Sequence, residues 1–159
     1  MFLITTLKKG TNMNCIQGNL IKAIKNHKID IAIHNCNCFC TMGKGIALGL
    51  KNTFPSVYFV DCLTKKGDRE KLGTYSTCTL ANGVHICNGY GQFTYFDKND
   101  MLYYGAVESY LKKINDDFDK NLTIGMPKIG AGLAGGNWNI IEEIIQNSLK
   151  GRIINVYYL

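Results

Sequence analysis

The sequence predicts an α/β fold, a mostly parallel mixed sheet sandwiched between helices, and three observations carry that expectation. Runs rich in β-branched residues, "IDIAIHN" at 29–35, "LTIGMP" at 122–127 and "IINVYYL" at 153–159, read as strands covered on both faces. Segments with apolar residues at helical spacing stand between them, and strands alternating with helices give a parallel sheet. An Asn82-Gly83 pair between two β-like stretches adds one antiparallel hairpin.

In chain order, residues 2–7 and 13–16 read as short strands around a polar turn, followed by a helical stretch from Leu20 to Lys25. After the strand at 29–35, Gly43 to Thr53 places Ile46, Leu50 and Phe54 at helical spacing until Pro55 stops it. A helix from Val57 to Thr64 follows, since the first turn of a helix tolerates proline. Strands at 73–80 and 84–90 flank the hairpin turn. Met101 to Phe118 is an amphipathic helix, 122–127 a strand, Ile140 to Leu149 a helix and 153–159 the last strand. No repeat, low-complexity tract or linker divides the chain, so one domain is expected over 1–159.

An apolar share of 46% is enough to fill one core at this length. No apolar run approaches the ~18 residues of a membrane span, and the opening MFLITTLKKG puts its apolar residues before its lysines, the reverse of a signal peptide. A cytoplasmic location without a membrane partner is expected. Seven cysteines, an odd number scattered through strands and a helix, fit reduced thiols rather than a framework of bridges. The formal charge of +6 comes with paired lysines and no arginine-rich stripe. That balance suits a small anionic ligand, and nucleic acid is not expected as the primary one.

Ligands of such sheets bind beyond the carboxyl ends of the strands. Two glycine-rich stretches follow two buried strands here, "NCNCFCTMGKG" after 29–35 and "KIGAGLAGGNW" after 122–127. Glycines let backbone N–H groups approach a ligand closely, Asn137 is placed to cap the helix beyond, and the positive end of a helix favours phosphate. Either stretch alone equally describes a tight strand-to-helix connection. Together they predict a crevice that holds a diphosphate. Neither ends in Gly-Lys-Ser/Thr, which excludes a Walker A loop.

Cys36, Cys38 and Cys40 alternate along extended chain, with no C-x-x-C unit and no histidines at ligand offsets. Small buried residues beneath a ligand loop are the expectation, with no metal and no cofactor. His34 has the side chain that titrates nearest neutrality. At the mouth of a phosphate site it would carry a proton; at an ordinary strand end it would bond to backbone.

"GNL" at 18–20, "IHNCN" at 33–37, "MGKGIALGLKNTFP" at 42–55, "MPKIGAGLAGGNW" at 126–138 and the final "VYYL" resemble a macro domain, the ADP-ribose-binding fold. The resemblance runs from Gly18 to the C-terminus. The widespread macro pattern reads V-N-A-A-N, four residues, then G-G-G-G-V, and Asn37 and Met42 keep that spacing. Two branches are similar: the ADP-ribose 1″-phosphate phosphatases, in H-x-C-N-C and G-x-G-I-A, and the hydrolases that strip ADP-ribose from protein glutamates or DNA, in M-G-x-G-I-A. The second branch uses a lysine nucleophile after the strand equivalent to 84–88, and no lysine stands between Val84 and Phe96.

What the resemblance implies for the site follows. Asn19 would accept from the adenine amino group and Leu20 would give it a backbone N–H, with Tyr157 and Leu159 near the same end. Met42, Gly43, Lys44, Gly45 and Ile46 would form one phosphate cradle, and Ile129, Gly130, Ala131, Gly132 and Leu133 the other. Gln92, Phe93 and Thr94 would line the distal ribose, which Asn37 would hold. The resulting expectation is metal-independent water attack that removes the phosphate from ADP-ribose 1″-phosphate, with His34 and Asn37 as catalytic residues. A module that binds ADP-ribose without turnover, as a reader of ADP-ribosylated macromolecules, and a hydrolase of ADP-ribosyl esters or nucleic-acid adducts are the rival readings.

Overall fold

In the computed structural model, which describes residues 4–6 and 12–159, seven strands form one sheet. The strands are β1 (Ile4–Thr6), β2 (Met13–Gln17), β3 (Ile31–Cys36), β4 (Tyr75–Thr79), β5 (His85–Tyr90), β6 (Ile124–Met126) and β7 (Ile154–Tyr158). Their order is β1-β2-β7-β6-β3-β5-β4. The five central strands are mutually parallel, and β1 and β4 close the two edges antiparallel. Of the first strand expected at 2–7, positions 2, 3 and 7 lie outside the described residues, as does most of the turn after it.

Helices cover both faces. α1 (Leu20–Lys25), α2 (Gly45–Thr53) and α3 (Pro55–Cys62) pack on one side through Leu20, Ile24, Leu50 and Val57 against Ala32, Ile86 and Tyr90. On the other side α4 (Tyr104–Asp117) and α5 (Trp138–Ser148) set Val107, Leu111, Ile114, Ile141 and Ile145 against Ile31, Ile33, Ile124 and Val156. The period of two in β3 explains the split: Ile31 and Ile33 face one layer, while Ala32, His34 and Cys36 face the other.

Sequence signals place most ends. Asn19 caps α1, its Oδ1 accepting from the N–H groups of Ile21 at 2.8 Å and Lys22 at 3.3 Å. Pro55 occupies the first turn of α3. The expected helix from Met101 starts instead at Tyr104, because Leu102 forms an antiparallel bridge with Gln92. Arg152, 1% exposed, donates to the carbonyls of Asn115, Phe118 and Asp119, closing the C-terminal end of α4.

Candidate functional site

β3 and β6 are neighbours, and both glycine stretches leave their carboxyl ends side by side. After β3, Asn37 folds the chain back: its Oδ1 accepts from Phe39 N–H at 2.8 Å and its Nδ2 donates to Thr41 Oγ1 at 2.7 Å. α2 then begins at Gly45 with φ +58°, which glycine adopts without strain. Lys44, at the cap position, makes no side-chain cap bond. The N–H groups of Gly45, Ile46 and Ala47 find no acceptor among the described residues. These are the orphan donors of a helix start, and here they face open space.

The second stretch is a tighter construction. Gly130 turns at φ +71°, the Gly136 N–H donates to the Gly130 carbonyl at 2.8 Å, and the Gly135 N–H donates to Gly132 at 3.0 Å. Asn137 caps α5, accepting from Asn139 N–H at 2.9 Å, while its own N–H donates to Tyr104 Oη at 3.0 Å. The N–H groups of Gly132, Leu133 and Ala134 have no acceptor among the described residues.

Between the stretches lies a crevice of about 560 Å³. Gly43, Lys44, Gly45, Ile46 and Ala47 line one wall, and Pro127, Lys128, Ile129, Gly130, Gly132, Leu133 and Ala134 the other. Asn35, Cys36, Asn37, Thr41, Gln92 and Tyr95 complete it. Lys44 and Lys128 both reach it, neither pairing with a carboxylate among the described residues, and no Asp, Glu or His is in the lining. Such a cleft holds anions by direct charge and by converging amide dipoles.

Ten of the sequence-predicted residues therefore share one crevice: Asn37, Gly43, Lys44, Gly45, Ile46, Gln92, Ile129, Gly130, Gly132 and Leu133. Met42 is buried, and Ala131 packs against the core on the α4–α5 side. Phe93 is also buried, its ring 5.2 Å from that of Phe39, and Thr94 Oγ1 is bonded within the 94–100 turn. The expected adenine set does not join the lining. Asn19 has its amide oxygen engaged in the α1 cap, Leu20 and Tyr157 are core, and Leu159 is 93% exposed at the chain end.

His34 requires a correction. Instead of standing at the mouth it is 1% exposed, with Nε2 2.5 Å from Asn88 Oδ1 and Cys36 Sγ against its ring at 3.4 Å. Even positions of β3 point into the layer under α2 and α3, and of these Cys36 at the strand end lines the crevice while His34, two residues deeper, does not. Burial lowers its pKa to about 4, only partly opposed by the Asn88 hydrogen bond, so the ring is neutral at pH 7. The thiols beside it are inert as well. Burial holds Cys36 well above the usual thiol range and pushes Cys38 up to about 11.

Several crevice residues escaped the sequence reading. Lys128 stood within the "MPKIGAG" stretch and Asn35 within "HNCNC", so their signals were present but unweighted. Asn35 is oriented by Tyr110, whose hydroxyl donates to its Oδ1 at 3.1 Å, and Gly91 leaves room for that amide, since a Cβ there would lie 2.2 Å from the same oxygen.

The fold and the crevice define an α/β domain whose anion-favouring cleft lies over the carboxyl ends of adjacent parallel strands. The comparisons make this more specific. No family model matches the sequence. The chain is 37% identical over 134 residues to an uncharacterized 17.5 kDa protein in the tk-vs intergenic region of Enterobacteria phage T4, covering 82% of this chain and 85% of that one. It is 28% identical to the ADP-ribose 1″-phosphate phosphatase of Debaryomyces hansenii, over 89% of this chain and 96% of the relative. Among solved structures it superposes on the macrodomain of Thermus aquaticus DarG with a TM-score of 0.73 at 24% identity, covering 92% of this chain and 98% of that one. The chain has the macro domain fold.

Proposed function

We propose that the protein binds ADP-ribose with the diphosphate between the two loops and hydrolyses a bond at the distal ribose, the substrate being ADP-ribose 1″-phosphate. One observation carries the binding half: two rows of unaccepted N–H groups, Gly45 to Ala47 and Gly132 to Ala134, face a crevice with two lysines and, among the described residues, no carboxylate. The volume of about 560 Å³ suits a ligand of that size. Likeness to a yeast enzyme named for the phosphatase reaction supports the choice of bond.

In this reading water attacks phosphorus. The amides of both loops stabilise the charge that develops on the phosphoryl oxygens, because they are already oriented when the reaction begins. Asn37 holds the ribose by exchanging its Thr41 contact for a ligand hydroxyl. No proton step is assigned to His34, which is sealed from the crevice and neutral. Of the attacking water's two hydrogens one stays on the phosphate formed and the other passes through solvent to the departing ribose oxygen.

The lining also favours a second reading. A crevice without Asp, Glu or His among the described residues lacks the side chains that most often act as general acid or base, which suits a module that binds ADP-ribose and does not turn over. Calorimetric titration with ADP-ribose followed by a phosphate-release assay on ADP-ribose 1″-phosphate separates the two. Binding with release supports the phosphatase, binding without release supports the module, and absence of binding removes both.

A further inference from the structure

Lys71 is a buried cation that the crevice does not use. It is the last residue of the short 3-10 turn Arg69–Lys71 and is 7% exposed, yet no carboxylate pairs with it among the described residues. A buried ammonium is costly unless its neighbours compensate, so what surrounds it matters. Nζ donates to the Cys38 carbonyl at 3.2 Å, lies 4.6 Å from the centre of the Tyr90 ring, and stands 3.7 Å from the Cys40 sulfur. The nearby Asp61 accepts from the Tyr90 hydroxyl at its Oδ1 instead.

Cys40 is held there against its own preference. Its φ of +55° is in the left-handed region that a residue with a side chain rarely enters. The surroundings fix it: the thiol contacts the Asp61 carbonyl at 3.4 Å, and the Cys40 carbonyl accepts from Tyr58 Oη at 3.2 Å. A strained residue persists only where the structure over-determines it, and this one keeps a half-buried thiol facing an amine. Thr41, the next residue, lines the crevice.

We propose that Cys40 and Lys71 are a covalent modification site, an oxidative cross-link in which one oxygen atom from dioxygen bridges the Cys40 sulfur and the Lys71 nitrogen. The amine reacts as its free base, having given its ammonium proton to solvent. The thiol S–H and one amine N–H bond break, S–O and O–N bonds form, and the O–O bond of dioxygen breaks. The second oxygen leaves as water with the two released hydrogens. Sulfur and nitrogen each give up two electrons, and dioxygen takes all four. A one-atom bridge suits the 3.7 Å gap better than a direct S–N bond, which would need a closer approach of two fixed segments.

The link ties the start of the first loop to the 69–71 turn, discharges Lys71 and weakens its hold on the Cys38 carbonyl. Its effect on ligand binding rests on the crevice being the ADP-ribose site. By restraining Cys40, whose neighbour Thr41 lines the crevice, the link weakens ADP-ribose binding, and reductant restores it.

The test uses the whole chain, equilibrated either with air or with a thiol reductant, and reads intact mass and a peptide map. The expected result is a gain of about 14 Da, one oxygen in and two hydrogens out, and a cross-linked peptide pair joining Cys40 to Lys71. Both vanish on reduction, in Cys40→Ser and in Lys71→Arg, which keeps a donor for the Cys38 carbonyl. An unmodified chain, a gain of only about 16 Da from a sulfenic acid, or a loss of about 2 Da from a disulfide overturns the proposal. The map is read on wild type, so it decides even where a variant fails to fold. Failure of the reduced protein to bind ADP-ribose overturns the functional reading instead, and leaves the mass result to decide the link.

Discussion

Where the first glycine loop enters α2 the helix start is left open, and where the second enters α5 it is closed. Lys44 offers no side-chain acceptor, so the N–H groups of Gly45, Ile46 and Ala47 at the crevice wall have no acceptor among the described residues. Asn137 caps α5, and the first residues of that helix do not line the crevice. The second loop lines the crevice with amides of its own turn instead, held by the Gly136-to-Gly130 bond. Two loops of similar composition thus present anion-binding amides by different means, one through a helix terminus and one through a folded turn.

The largest expected effect concerns the floor beneath the first loop. An unfolded chain protonates His34 near pH 6.5 and the folded one only near 4. The contribution is therefore level above about pH 6.5 and falls as pH drops toward 4, by about 3 kcal/mol. Urea unfolding across that range should show the fall, and His34→Gln should remove most of it. Asp61, whose carboxyl burial holds above its ordinary range, works in the opposite direction at the acid end.

Next in size is a contrast of glycines. A Cβ at Gly136 would lie 2.6 Å from the Gly130 carbonyl oxygen and 2.2 Å from Leu102, so Gly136→Ala should cost about 2 kcal/mol in thermal unfolding. Gly43 has nothing within 4 Å, so Gly43→Ala should leave the melting temperature unchanged and weaken ADP-ribose binding by narrowing the approach. A Gly43→Ala variant that melts early would show that the first loop is as tightly built as the second.

The caps give the sharpest test of the comparison. Lys44→Ser supplies the missing acceptor and should raise stability by about 0.5–1 kcal/mol while weakening ADP-ribose binding, since the donors are then occupied. Asn137→Ala should do the reverse, losing about 1 kcal/mol of stability with affinity unchanged. If both substitutions move binding alike, the asymmetry between the helix starts has no functional meaning.

Smallest are the charges. Lys44→Ala and Lys128→Ala should each weaken ADP-ribose binding about threefold at low salt, and titrations at rising ionic strength should bring both toward wild type.

The runs that became β3, β6 and β7, the helix stop at Pro55, the Asn82-Gly83 turn and the cap at Asn137 were all legible, because each depends on residues within a few positions of one another. The site was legible as two stretches and a spacing. Its depth was not. His34 and Asn88 are 54 residues apart and meet only because β3 pairs with β5 in that register, which turns an apparent site histidine into a core one. Asn19 looked free for a ligand until the α1 cap claimed its oxygen.

By itself the sequence determined the layered α/β architecture and the two amide-rich turns, since β-branched runs, helical periodicity and glycine placement act through local backbone energetics. The tertiary structure alone decided which side of β3 meets solvent, which helix start stays uncapped and which lysines converge on the crevice. Those outcomes depend on strand register and on atoms brought together from distant parts of the chain, and no short window of residues contains them.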